Sequence, residues 1–134
     1  MKHMNKEMKF RPTATANSYL KRLIKEKEVF DRAVDAYVFA AAYALKRDVN
    51  PSQVSLNHRH ELVKVGILDE DVRLALEAGV HAIVKRHGKP EPKDKGAVLD
   101  LVTRYAEAGL ELLKERWDGK TGVQIQDDIR KMIA

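Results

Sequence analysis

Ala36–Leu45 is a run of ten consecutive apolar residues, closed at once by Lys46-Arg47-Asp48. A membrane span requires roughly 20 such residues, so this run is read as a helix segment buried inside a folded domain. Upstream, Val29, Phe30, Ala33, Val34, Tyr37 and Val38 recur at helical spacing, and the stripe widens until the segment is apolar nearly all round. A helix with no polar face belongs in the interior, which predicts a central helix over 29–46. Ala40, Ala41, Ala42 and Ala44 give it a small surface across which a neighbouring helix can pass closely.

The neighbours are legible from the same periodicity. Thr13, Thr15 and Asn17 are all capable N-caps, and Tyr19, Leu20, Leu23 and Ile24 then form one apolar side of a short helix over 17–27, with Lys21, Arg22, Lys25 and Lys27 on the other. Asp48 to Ser52 is a stop signal, because a residue before proline is driven out of the α region. Gln53 to Leu68 reads as a short extended piece followed by one or two helical turns, with Gly66 as the break. Asp69 is predicted to cap a helix over 70–87, with Glu70 and Asp71 at its positive end and Val72, Leu76, Val80 and Ile83 along it. After a polar connection, Val98, Leu101, Val102, Tyr105, Leu112 and Leu113 define a helix over 95–117. Thr121 and Gln124 have capping-box spacing ahead of a last helix carrying Ile125, Ile129 and Met132.

Nothing alternates with period two for long enough to require a sheet. The predicted fold is therefore all-α: a compact bundle of about five helices around the 29–46 helix, with the 70–87 and 95–117 helices against it. At 134 residues the chain has the size of one domain. Residues 1–12 show no apolar period and are read as a mobile basic arm ahead of a single helical domain over 13–134. On that reading, removing 1–12 leaves the fold intact. A Glu-Ala-Gly echo at 77–79 and 107–109 places two glycines inside helices, where each costs about 1 kcal/mol relative to alanine. Both are expected to mark close helix crossings.

The net charge of +5 is unevenly placed. Residues 1–28 hold 8 basic and 3 acidic side chains, leaving 17 of each sign over 29–134. Lys2, Lys6, Lys9 and Arg11 on the arm, with Lys21, Arg22 and Lys25 on the helix that follows, form a surface able to meet several phosphates and release counterions. The candidate nucleic-acid contacts are Lys9, Arg11, Lys21, Arg22 and Lys25. Contact of this kind reads backbone rather than sequence, because no element carries Asn, Gln and Arg positioned for base edges. A solvated basic face accounts for the same residues.

Other chemistry is sparse. The chain has no cysteine, which removes disulfides, thiolate metal sites and thiol nucleophiles together. The start MKHMNKEMKF lacks an apolar signal core, so the expected location is cytoplasmic and not membrane-bound. His58 and His60 in Asn57-His-Arg-His-Glu61 share a face if the segment is extended, but two imidazoles without further ligands are read as a polar turn and not a metal site. Asp69, Glu70 and Asp71 are explained by their place at a helix start. No phosphate loop, serine elbow or His-Glu-x-x-His string occurs, and no arginine has a histidine five to seven residues downstream as in one class of nuclease. Trp117, Tyr105, Tyr37 and Tyr43 lie on apolar faces and read as core aromatics. No catalytic residue and no cofactor is assigned.

Val29-Phe30 with Asp35-Ala-Tyr-Val-Phe-Ala-Ala-Ala42, and further on Arg104-Tyr-Ala-Glu-Ala-Gly-Leu110, carry a resemblance. The two stretches resemble the "VF…DVFVFAAALG" and "EEYANGGL" segments of a small bacterial and archaeal family associated with DNA-phosphorothioation (dnd) modification and restriction gene clusters. The resemblance spans about residues 18–117. It implies an accessory role in DNA modification or defence and implies no catalytic residue. The expectation is thus a non-enzymatic accessory protein that contacts DNA backbone or a partner subunit through its basic N-terminal region. The alternative is a helical protein–protein adaptor or homodimer module with no nucleic-acid role.

Overall fold

A computed structural model describes residues 1–51 and 54–133; the parts of the predicted stop signal and extended piece at 52 and 53 lie outside the described residues. Among these, the regular structure is five α-helices: α1 (Ala14–Lys21), α2 (Ala33–Lys46), α3 (Glu70–Arg86), α4 (Lys95–Arg116) and α5 (Gly122–Ile133). The fold is all-α, as the periodicity predicts. Local chemistry sets most of the boundaries. Thr13 is the N-cap of α1, its hydroxyl accepting from the Ala16 N–H at 3.1 Å, and Asp94 caps α4 by accepting from the Ala97 N–H at 2.8 Å. The capping box ahead of α5 is complete: the Thr121 N–H donates to Gln124 Oε1 at 2.9 Å and the Gln124 N–H to Thr121 Oγ1 at 3.2 Å.

Two helix starts and one cap differ from the sequence reading. The first helix begins at Ala14 rather than 17, because Thr13 outcompetes Asn17 as the cap, and it runs on into one π-helical turn at Arg22–Glu26. The central helix begins at Ala33 rather than 29. Glu28 turns the chain with φ +54° and the Val29 N–H is spent on the Leu23 carbonyl, so Val29 and Phe30 join the core from a loop. Asp69 stands at the N-cap of α3, yet its side chain makes no capping hydrogen bond.

The interior is organised by α2 crossing α4, the most extensive helix contact in the structure. Ala36, Ala40, Ala41 and Ala44 are no more than 1% exposed. The approach is closest at Gly109, where an added Cβ would lie 1.9 Å from the Ala40 carbonyl oxygen. Gly79, the other predicted crossing, meets only the tip of the Leu45 side chain, at 3.2 Å. α1, α3 and the start of α5 then close the core, to which Tyr19, Val80, Trp117 and Ile125 contribute buried side chains.

The predicted mobile arm is a packed segment. Phe10 is fully buried and meets Tyr37 edge to face with ring centroids 6.1 Å apart, Met4 is 3% exposed, and Pro12 is buried. Residues 6–14 run antiparallel to 58–66, held by six backbone hydrogen bonds from Gly66 N–H to Lys6 O at one end to Ala14 N–H to His58 O at the other. Two isolated antiparallel bridges, Lys9 with Lys64 and Thr13 with Arg59, are all the strand-like structure among the described residues. The sequence signal for this ribbon is the alternation Met8-Lys9-Phe10-Arg11-Pro12, which is too short to outweigh the helical periods around it.

Candidate functional site

Two glutamates that sequence reasoning passed over hold the N-terminal segment to the helical body. Glu107 on α4 is 5% exposed, and its carboxylate accepts from the Thr13 hydroxyl at 2.6 Å, from the Thr13 N–H at 3.2 Å and from the Tyr37 hydroxyl at 2.8 Å. Glu77 on α3 is fully buried; it accepts from the Met4 N–H and lies 3.0 Å from His3 Nδ1. These are the first residues of the two Glu-Ala-Gly echoes. In both copies the glutamate fixes the incoming chain, while only the second glycine admits a helix backbone. Burial, and then the Glu107 charge, hold the Tyr37 hydroxyl far above its usual range, so Tyr37 remains a neutral donor.

Beside Glu107 a cavity of about 350 Å³ opens between α1, the 54–58 segment and α4, with Tyr19, His58, Glu111 and Lys114 among its walls. Burial raises the Tyr19 hydroxyl to about 12, with Arg22 opposing the rise, so it too stays protonated. The Glu107 lone pairs are largely spent on Thr13 and Tyr37, and the remaining wall charges are of both signs. The cavity therefore selects no ligand charge.

All five predicted nucleic-acid contacts are exposed. Lys9 pairs with Glu61 at 3.0 Å, which holds that carboxyl below its usual range, and Arg22 pairs with Glu26 at 3.6 Å while lying 5.7 Å from the Tyr19 ring centroid. Arg11, Lys21 and Lys25 have no ion-pair partner among the described residues; Arg11 acts on Glu61 only at longer range. The ribbon brings Arg59, also exposed, opposite Thr13. His58 and His60 are both exposed, His58 with φ +55°, and among the described residues no three His, Asp or Glu side chains converge as a metal site would need. No helix among them is long and apolar enough to cross a membrane.

A second charge network lies elsewhere, at the α4–α5 corner. Asp128 accepts from Arg116 Nε and Nη2 at 2.7 and 2.9 Å and from the Trp117 indole N–H at 2.8 Å. The Arg116 hydrogen bonds, joined by the indole, hold the Asp128 carboxyl well below the usual carboxylate range. A group whose folded pKa is depressed stabilises the fold fully above its unfolded value of about 3.9, and that contribution is lost as pH falls through the folded value. Asp128→Asn is expected to lower stability at neutral pH and to flatten the loss of stability below about pH 4. Urea midpoints measured for both proteins down to low pH check this; parallel curves would show that Asp128 does not contribute to the acid response.

The class defined by this geometry is a small helical bundle whose N-terminal ribbon is stapled by buried glutamates and carries an exposed basic edge. No family model matches the chain, and no curated protein or solved structure matches it at a significant level.

Proposed function

We propose that the chain is a non-enzymatic accessory protein of a DNA-modification or defence system that grips nucleic-acid backbone, without reading sequence, through the exposed edge formed by its N-terminal ribbon and α1. The observation that carries this reading is that Arg11, Lys21 and Lys25 stand in solvent with no ion-pair partner among the described residues. Arg11 and Lys25 stand at opposite ends of the helical stretch from 14 to 26, which rises roughly 20 Å. Lys9 and Arg22 add to the edge, because exposed ion pairs such as theirs are worth only about 0–1 kcal/mol and exchange readily for phosphate. The resemblance of 29–42 and 104–110 to the phosphorothioation-associated family supports DNA as the polyanion.

A generic labelled duplex titrated at salt concentrations from about 50 to 200 mM tests the reading. With three to five cations engaged, log K is expected to fall against log salt with a slope of about −2.7 to −4.5, and Lys21→Glu, Arg22→Glu and Lys25→Glu together to abolish binding. A flat salt response, or binding unchanged by the triple variant, overturns it. That outcome favours the adaptor or homodimer reading, which draws on the exposed apolar residues Ile67, Val72 and Leu74 around the start of α3.

A further inference from the structure

The C-terminal ends of α2 and α5 flank a groove of about 520 Å³ whose floor is apolar: Phe39 and Ala42 from α2, Met132 and Ile133 from α5. Ile133 is 74% exposed and Ala42 is exposed, so the floor is open to solvent. Around it stand Lys46, Arg47, Arg116 and Lys131, and among the described residues no acidic side chain lines the groove. Residues 29–134 carry equal numbers of basic and acidic side chains, so this is a local segregation that the charge count hides.

Part of the cluster has an ordinary cause. Lys46 and Lys131 lie in the last turns of their helices, where the carbonyl ends favour cations, and Lys46 Nζ reaches the Met132 carbonyl at 3.3 Å. The two arginines also lie at helix C-terminal ends, Arg47 at the C-cap of α2 and Arg116 in the last turn of α4, and differ from the lysines in how their guanidinium groups are held. Arg116 is fixed by its paired bonds to Asp128 and lines the groove together with Tyr43. Arg47 lies over the Tyr43 ring, its guanidinium 4.7 Å from the ring centroid and without a carboxylate partner among the described residues. One guanidinium with open donors is thus held beside a solvent-exposed apolar floor, next to the exposed ammonium of Lys131, which has no ion-pair partner among the described residues. The groove is of the size that takes a small molecule, and a planar fork of donors suits a carboxylate or phosphate head.

We propose that this groove binds a small amphiphilic anion, its aliphatic body lying on Phe39, Ala42, Met132 and Ile133 and its carboxylate or phosphate head meeting Arg47 and Lys131. The charge complementarity is one-sided: a neutral or cationic amphiphile meets the same floor but four positive groups at the rim. The site shares no residue with the basic edge of the N-terminal ribbon.

Calorimetric titration with decanoate, decyl phosphate, decanol and decyltrimethylammonium tests it on the full chain. Both anions are expected to bind, decanol at least about tenfold more weakly, as the loss of a charge-assisted hydrogen bond implies, and the cation not at all. Arg47→Gln with Lys131→Gln, both at exposed positions, are expected to bring the anions down to the decanol level. Ala42→Trp is expected to block all binding by filling the floor, with thermal unfolding confirming that each variant folds. The triple glutamate variant at 21, 22 and 25 should retain decanoate binding, so failure here and failure of the DNA reading are separate results. Absence of binding by either anion, equal affinity for decanol and decanoate, or anion binding unchanged by the glutamine variant overturns the proposal. So does light scattering that shows a dimer which Ala42→Trp dissociates, since a second copy would then be the occupant. A preference for decyl phosphate over decanoate, or the reverse, assigns the head group within the supported class.

Discussion

Deleting residues 1–12 is expected to leave a chain without a cooperative unfolding transition, although the sequence reads this segment as a dispensable basic arm. Phe10 fills a site against Tyr37 with no exposure, and truncating a buried phenylalanine costs about 3–5 kcal/mol by itself. The deletion also removes Met4, both partners of Glu77 and five of the six ribbon hydrogen bonds. Each lost hydrogen bond costs about 0.5–1.5 kcal/mol more. The sum approaches the whole stability of a domain this size, about 5–15 kcal/mol. Phe10→Ala gives the milder test, with a lowered urea midpoint and an unchanged slope. A deletion variant that melts cooperatively near the full chain's temperature would show that the ribbon is only laid on the surface.

Gly109→Ala is the second large effect. An added methyl meets the Ala40 carbonyl oxygen at 1.9 Å, and both sides of that contact are helix backbone, so neither gives way without α2 and α4 separating. Alanine gains about 1 kcal/mol of helix propensity over glycine. Overpacking against a rigid neighbour costs about 3 kcal/mol or more, so the steric term wins and the melting temperature is expected to fall by roughly 10 °C. Gly79→Ala reverses the sign: its Cβ reaches only the end of the Leu45 side chain, which can turn aside, leaving the propensity gain. Equal melting shifts for the two variants would mean that the α2–α4 crossing relaxes far more than a packed interior normally does.

The paired glycines show where sequence reading reaches and where it ends. Both were legible as helix-interior glycines in Glu-Ala-Gly, and nothing local separates the one that admits a backbone from the one that meets a flexible side chain. The same holds for the glutamates before them. A polar residue amid apolar neighbours on a helix is visible in the sequence, whereas its partners, Thr13 and Tyr37 for Glu107 and His3 and Met4 for Glu77, are 70 to 94 residues away along the chain. The five candidate phosphate contacts were legible as basic and exposed. The pairing of Lys9 was not, because Glu61 reaches it only through the ribbon, whereas Arg22 pairs with Glu26 one turn further along the same helical stretch.

The sequence by itself determined the helical class, the cores of all five helices, the capping box at Thr121 with Thr13 among three candidate caps of the first helix, and the absence of cysteine chemistry. Each of these depends on contacts within one or two turns, where spacing along the chain is spacing in space. Only the tertiary structure decided that residues 1–12 belong to the core, that α2 and α4 share the centre at Gly109, and that four cations gather around one apolar groove in a charge-balanced region. Those features join residues with no common period, and a composition that sums to zero carries no record of where its charges meet.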